Sequence, residues 1–532
     1  MASMAQPAAS FSGPTDGADR ASLTTWVAVI AGMIGAFMSI LNIQITNASL
    51  LDIEGGIGTG ADNGAWISTS YLIGEIVVIP LTGYLSRVFS FGRYMIASTF
   101  FFAVFSMACA FAHNLGEMIA MRGLQGFAGG VLIPMAFTMV VTKLPKTQQP
   151  IGLALFAIAV TFAPAIGPTI GGYLTENYGW QKIFFINTIP SAIMIVALAL
   201  TLEKEKMQLG LLREGDWAGI FTMAIGLSSL QTMLEEGNKD DWFGSPFIVK
   251  LAVTAVVFLT AFVWIELVVK KPLVDLRLLK NRNFGIGTIA NMLVGFALFG
   301  TVYVLPQYLG QVQGYNSEQI GYVLAWTGLP QLLIIPFVPM LMKRFDVRYI
   351  AIVGIALFAA SCFMNTQMSL DYSGDQLFVP DIVRAVGQAL VLTPLTAIAT
   401  AGIAPKDAAN ASGLFNMLRN LAGAVGTASL ATIITKREQF HSNIIGQSVN
   451  VYRDNVRQRI DEMTNYFMAH GVSDIATAKH QAIVALGQVV KRQSLIMGFS
   501  DTFAVIGVML SIAAVSLLFA RKAKAGAGAA AH

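Results

Sequence analysis

One carboxyl and two guanidinium groups stand deep inside apolar stretches of this sequence, and their types and positions are what could do chemistry. Glu75 follows Tyr71-Leu72-Ile73-Gly74 and precedes Ile76-Val77-Val78-Ile79. It lies about eleven residues into its run, hence roughly 16 Å deep at 1.5 Å per helical residue. A carboxyl held away from water favours its protonated form and releases the proton when re-exposed or brought to a cation, which is the chemistry of a reversible proton carrier. Arg122 is about six residues into its run, roughly 9 Å, and Arg419 about ten, roughly 15 Å. An arginine at such depth faces a polar interior or snorkels to the interface. Glu75 and Arg419 reach similar depths and make a candidate pair, one that forms and breaks during work or else a permanent structural ion pair. The other acids have local explanations. Glu266 sits at the end of its run and can reach the interface, and Asp381 is three residues from Arg384, the spacing of a helical pair.

Enzymatic chemistry finds no support. The five His are scattered, no Gly-rich phosphate loop occurs and no cluster has metal-ligand spacing, so neither cofactor nor metal is expected. Cys109 and Cys362 lie within apolar runs, and no disulfide is assigned to them.

The elements that must position these groups are membrane helices. Of 532 residues 55% are apolar and only 12% charged, where soluble domains carry about 25%, and mean hydropathy is +0.64. Fifty glycines suit closely packed membrane helices. Runs long enough to cross a bilayer fall at 24–48, 64–85, 93–111, 116–138, 150–174, 183–202, 216–234, 246–268, 284–308, 319–341, 349–366, 380–402, 409–434 and 499–520. These are spans 1 to 14 of an all-α polytopic membrane protein. Residues 1–22 read as a disordered tail without the basic start of a signal peptide, and 521–532 as a second tail.

Lys and Arg set the orientation. One alternating set of loops holds Arg87, Arg93, Lys143, Lys146, Lys204, Lys206, Arg213, Lys270, Lys271, Arg277, Lys280, Arg282, Lys343, Arg344, Arg348 and Lys406, with Arg521, Lys522 and Lys524 after the last span. The opposite loops hold Asp52, Glu54, Asp62, Glu117, Glu235, Glu236, Asp240, Asp241, Asp371 and Asp375, with Lys182 and Lys239. The basic face is therefore cytoplasmic and both termini lie inside. The net charge of +4 follows from this placement, and no nucleic-acid partner is inferred.

The chain is internally repeated. Pro80 matches Pro336 and Pro134 matches Pro394 at offsets of 256 and 260, while Leu155, Phe156, Ala163 and Gly167 match Leu414, Phe415, Ala422 and Gly426 at 259. Spans 7 and 8 have no counterpart, and the offset leaves a polar insertion at about 435–498. The domains are accordingly a six-helix bundle at 23–203, two linker spans at 204–270 and a second six-helix bundle at 271–520. In the insertion, charged and apolar residues interleave at helical spacing, predicting a pair of solvated or membrane-resting helices that either cap the bundle or dock another protein.

Two motifs carry a resemblance. Span 5 contains Ala163-Pro164-Ala165-Ile166-Gly167-Pro168-Thr169-Ile170-Gly171-Gly172, whose glycines four apart let a neighbouring helix approach and whose prolines permit a bend. Span 4 opens with Arg122-Gly123-Leu124-Gln125-Gly126. Arg122, Gln125 and Gly126 resemble the RxxQG element of the major facilitator superfamily, and Gly167, Pro168, Gly171 and Gly172 its GPxxGG antiporter element. With fourteen spans, the late insertion, the segment Phe37 to Gly58, Gly226 to Leu234, Asp241-Trp242-Phe243 and Arg282-Asn283-Phe284, the chain is similar to the fourteen-helix drug:proton antiporters of the EmrB type.

That resemblance implies the major facilitator fold, with 6+2+6 helices and pseudo-two-fold halves, and proton-coupled efflux of hydrophobic or amphipathic molecules across a bacterial inner membrane. It implies as partners, besides protons and membrane lipids, a periplasmic adaptor (EmrA-like) and an outer-membrane channel (TolC-like). Two departures stand out. The family pattern has an acid in span 1 where this sequence reads Leu41-Asn42-Ile43-Gln44-Ile45-Thr46-Asn47, so Asn42 cannot carry a proton and Glu75 is expected to replace it, with Arg122 and Arg419 as charge partners. The cytoplasmic gate formed by Gly83, Arg87 and Arg93 has an arginine where the superfamily often has an aspartate. A substrate cavity near the midplane is expected to draw on Asn42, Gln44, Asn47, Asn291, Gln307, Gln331 and Asn416 beside Glu75 and Arg419, with Met38, Phe156, Tyr303, Tyr308 and Trp326 as apolar contacts. A proton-coupled importer on the same fold is the alternative, against which the span 5 motif argues; a membrane-embedded sensor would need an appended soluble domain that this sequence lacks.

Overall fold

The computed structural model describes residues 20–522 except 146, 204, 270, 271, 405–407 and 451. Most of the two tails, and Lys146, Lys204, Lys270, Lys271, Lys406 and Lys524, lie outside the described residues. Among those described, the regular elements are all helical, and thirteen helices are long and apolar enough to cross a membrane, fourteen when the bent helix of span 5 is counted. The protein is a multi-pass membrane protein.

Proline and glycine shape several spans. In span 5 the segments Ile151–Pro164 and Ile166–Tyr178 meet at 45°, where Pro164 and Pro168 remove backbone donors. Span 4 breaks between Leu115–Gly129 and Leu132–Lys143, and span 12 between Gly374–Ala389 and Leu392–Thr400. Both breaks stand at the same distance before Pro134 and Pro394, so the duplication seen in the sequence is repeated in the backbone.

Span 1 (Leu23–Ala48) packs along span 5. A Cβ on Gly167 would come 2.4 Å from Gln44 Cβ, and one on Gly171 would come 2.9 Å from the Ile45 carbonyl, so the two glycines bring span 5 against the Gln44 to Ala48 turn. Pro168 is half-buried and Gly172 buried in the same helix. Gly167→Ala is therefore expected to push span 5 off span 1 at an overpacking cost of about 1–3 kcal/mol. The melting temperature in detergent should fall at unchanged expression, and a melting temperature equal to wild type would show that the notch tolerates a methyl group.

The two halves meet along two seams. Span 2 (Trp66–Phe89) packs on span 13, and span 5 packs on span 10 (Ser317–Ile334). On the acidic face a Cβ at Gly321 would fall 1.9 Å from Thr169 Oγ1, so Gly321 makes the room in which the second seam closes. Toward the basic face Ile335, Ala389 and Leu392 cluster with Ile158, Leu298 and Ile334 across the same seam. Span 7 (Trp217–Glu236) lies against spans 2 and 13. Its following loop is fastened to span 13, where Trp242 Nε1 donates to Thr432 Oγ1 at 3.0 Å. Span 8 (Pro246–Val268) packs on span 7 and keeps most of its apolar surface outward.

The insertion differs from a separate helix pair. Span 13 runs unbroken from Ala408 to Ser448 and span 14 from Ile475 to Leu518, so each membrane helix continues straight into the polar region. One further helix, Asp454–Ala469, lies between them and packs on the extension of span 14, burying Val456 and Ile460 against Ala482. Backbone continuity explains the outcome: a helix that is already hydrogen-bonded extends more easily than a new one nucleates. Where the two extensions leave the apolar zone, Asp501 Oδ2 accepts from Arg437 Nε at 2.5 Å and meets His441 Nε2 at 2.8 Å, pinning span 13 to span 14.

Candidate functional site

Span 2 carries Glu75 in the turn that passes closest to span 4. Gly123, Gly126 and Gly130 clear the way. A Cβ on Gly74 would meet the Gly123 carbonyl at 2.2 Å, one on Gly126 the Tyr71 carbonyl at 2.0 Å, and one on Gly130 Glu75 Cα at 2.9 Å. The backbones thus touch, and Gly126 of the span 4 motif acts as a contact surface.

This contact buries Arg122 completely. Its Nη1 donates to Asn42 Oδ1 at 2.6 Å and Gln125 Oε1 at 2.8 Å, its Nε to the Ile67 carbonyl at 3.2 Å, and its guanidinium lies 4.4 Å from the Tyr71 ring centroid. Snorkelling plays no part. Asn42, placed by the sequence on a cavity wall, is the principal acceptor of Arg122. At the position of the missing acid the chain thus keeps the hydrogen bond and gives up the negative charge.

Glu75 is buried, its Oε2 sealed from solvent without a hydrogen-bond partner. Both Arg122 and Arg419 act on it electrostatically. Neither lies within the 4.0 Å of an ion pair. Arg419, also buried, comes from span 13 across the seam, its Cγ packed against Gly295 of span 9. One unpaired carboxyl therefore stands between an arginine of its own half and an arginine of the other. Glu75, Arg122 and Arg419 are thus buried within electrostatic reach of one another, with Glu75 held in no ion pair.

The remaining predicted positions scatter. Gln44 abuts Gly167, while Asn47 is exposed and accepts from Ser68 Oγ at 2.6 Å. Asn291 donates to the Phe415 carbonyl at 2.9 Å between spans 9 and 13 and leaves its Oδ1 unpartnered. Asn416 caps back onto the Ser412 carbonyl, and Gln331 reaches Gln388 at 2.9 Å inside the second half. Gln307 lies away from the midplane, in a cleft of about 390 Å³ shared with Asn238, Tyr303, Gln311, Thr435 and Phe499. Met38 and Phe156 are buried in the first half. Tyr308 is tied to the Tyr372 carbonyl at 2.6 Å, and Trp326 is exposed and stacks edge-on to Phe378, so neither has the position expected of a chamber wall. At the basic end, Gly83 faces Asn410 of span 13, Arg87 folds back onto the Gly83 carbonyl at 3.3 Å and Arg93 is exposed at the start of span 3.

Two acids behave otherwise than the sequence suggested. Glu266 turns inward and accepts from the Val274 amide at 3.1 Å instead of reaching the interface. Glu236, counted among loop acids, is buried in the last turn of span 7, with Thr69 of span 2 donating to it at 3.4 Å and Lys239 3.4 Å away. The signal that could have found it is the unbroken helical pattern from Trp217, which carries the span past Leu234.

The comparisons agree with this architecture. The sequence profile of the major facilitator superfamily matches residues 32–427. The colistin resistance protein EmrB of Acinetobacter baumannii is 32% identical over 94% of this chain and 97% of its own length. The multidrug export protein EmrB of Escherichia coli K12 is 31% identical over 92% and 93%. The fatty acid resistance protein FarB of Neisseria gonorrhoeae is 30% identical over 96% and 99%. Among solved structures, a POT family transporter in complex with a thioalcohol-conjugated peptide superposes with a TM-score of 0.60 at 13% identity, covering 92% of this chain and 95% of that one, a likeness of fold. With nearly full-length relatives on one side and the duplicated bundles on the other, the chain belongs to the major facilitator superfamily of transporters and, within it, to the EmrB-like exporters.

Proposed function

We propose that this protein exports amphipathic and hydrophobic small molecules across the bacterial inner membrane by exchanging them for protons. The observation that carries the proton step is Glu75, a buried carboxyl without an ion-pair partner between arginines of opposite halves. When Glu75 is ionised, Arg419 is drawn toward it and the span 2 to span 13 seam tightens. When it is protonated, the attraction is lost and the seam is free to part. Alternation of the halves is thereby tied to proton uptake on one side and release on the other. The basic face is cytoplasmic on this reading, with both termini inside.

Relatives named for export of multiple drugs and for resistance to colistin and fatty acids support the substrate class. The extensions of spans 13 and 14 then project into the periplasm, where an EmrA-like adaptor leading to a TolC-like channel would receive the substrate. The test is purified protein in liposomes under an imposed pH gradient, with ethidium and salicylate as a lipophilic cation and an aromatic weak acid. Gradient-driven movement of at least one, coupled to proton flux, is expected. Movement that ignores the gradient would refute the coupling.

A further inference from the structure

Span 12, the repeat of span 4, also carries a buried arginine ahead of its break, and its surroundings are charged differently. Arg384 stands two residues past the position that the offset of Pro134 to Pro394 would give for Arg122, yet each arginine lies beside a buried cysteine of the preceding span, Cys362 and Cys109 respectively. Arg122 donates through Nε and Nη1 to neutral acceptors only, with its Nη2 left unpartnered. Arg384 faces Asp381, with its Nη2 3.2 Å from Asp381 Oδ1, and both side chains are buried. The remaining surroundings are sparse. Tyr372, from the loop before span 12, acts on Asp381, span 11 brings Cys362 beside Arg384, and span 10 brings the neutral Gln331, which bonds Gln388.

A permanent buried ion pair is worth keeping only when further hydrogen bonds complete it. Here they are missing: both carboxylate oxygens of Asp381, and Nε and Nη1 of Arg384, are sealed from solvent without hydrogen-bond partners. Such a pair is held by a single charge contact, so adding one proton to the carboxylate removes most of what joins it.

From this geometry we infer that Asp381 is a second proton carrier, working against Arg384 in the half that lacks Glu75. The step is a plain transfer. Asp381 takes a proton from hydronium, forming one O–H bond and leaving water, while Arg384 keeps its charge; when the halves tilt, the proton returns to water, re-forming hydronium, and the pair closes again. The inference rests on the proton-coupled reading above and adds a second ion to it.

The test uses the full chain in lipid nanodiscs and infrared titration between about pH 5 and about pH 9, a window wide enough to follow displaced carboxyl groups. Asp381→Asn should remove one pH-dependent carboxyl band that Glu75→Gln leaves in place. In proteoliposomes the number of protons moved per ethidium should fall in the same variant. If Asp381→Asn does not fold, the neutral pair Asp381→Asn with Arg384→Gln avoids a lone buried charge and is read the same way. A titration spectrum identical to wild type in a folded variant overturns the inference, even if export is impaired, because a structural pair would alter stability alone. Wild-type transport without proton flux would instead overturn the proposed function, and the infrared band decides the role of Asp381 in either case.

Discussion

Glu75→Gln is expected to reduce export to the level of empty liposomes and to abolish its dependence on pH. Glutamine matches the shape of protonated glutamate, so span 2 should keep its contacts with Gly130 and the fold should survive. What is lost is the ability to ionise. Without the carboxylate, no other described acid is placed to answer the charge of Arg419 across the seam, and on the proposed mechanism the protein can no longer distinguish a proton-loaded state from an empty one. Substrate binding in equilibrium dialysis should persist, separating a coupling defect from misfolding. Undiminished gradient-driven export by this variant would remove Glu75 from the mechanism.

Arg122→Ala should have the largest effect on stability. It leaves Asn42 Oδ1 without a donor inside the first bundle, at about 1–3 kcal/mol for a buried group left unsatisfied, and it strips the guanidinium from Gln125 Oε1 and the Ile67 carbonyl, which keep only the Cys109 thiol and the Ser70 hydroxyl as side-chain donors. It also opens a hole beside Tyr71 and Phe184. The expected result is a large drop in melting temperature in detergent and little folded protein in the membrane. Arg122→Lys should rescue poorly, since one ammonium cannot reproduce a planar fork that bonds three acceptors and stacks on a ring. Asn42→Asp should do the reverse, placing a charge 2.6 Å from Nη1 and raising the melting temperature. A melting temperature for Arg122→Ala equal to wild type would show that the network contributes nothing.

Much of this was legible in the sequence, for identifiable reasons. Hydropathy registers a span whatever its partners, so all fourteen runs were visible, and Pro164 and Pro168 announced the bend of span 5. Glycine spacing announced close approach and named the helix that would need it, though not the neighbour; that span 1 fills the Gly167 and Gly171 notch is a fact of tertiary packing. Polar residues in apolar runs were harder to read. Asn42, Gln307 and Trp326 are of types that line chambers, but place along the span and rotation about the helix axis decide whether a side chain meets an arginine, an outer cleft or lipid, and a few residues of uncertainty in a span boundary blur both. The insertion is helical as its pattern suggests but is not a separate pair, because low hydropathy marks where membrane ends, whereas a helix ends only where its backbone is interrupted.

The unjointed passage of spans 13 and 14 out of the apolar zone makes them pointers. Span 13 extends about fourteen residues past its apolar run, an arm of roughly 20 Å, stiffened by the clasp of Asp501 on Arg437 and His441. A rigid arm magnifies rotation at its base into travel at its tip, so even a slight rocking of the second bundle sweeps the Asp454–Ala469 helix sideways. On the export cycle proposed above, whatever rests on that tip would feel each turnover as a mechanical stroke.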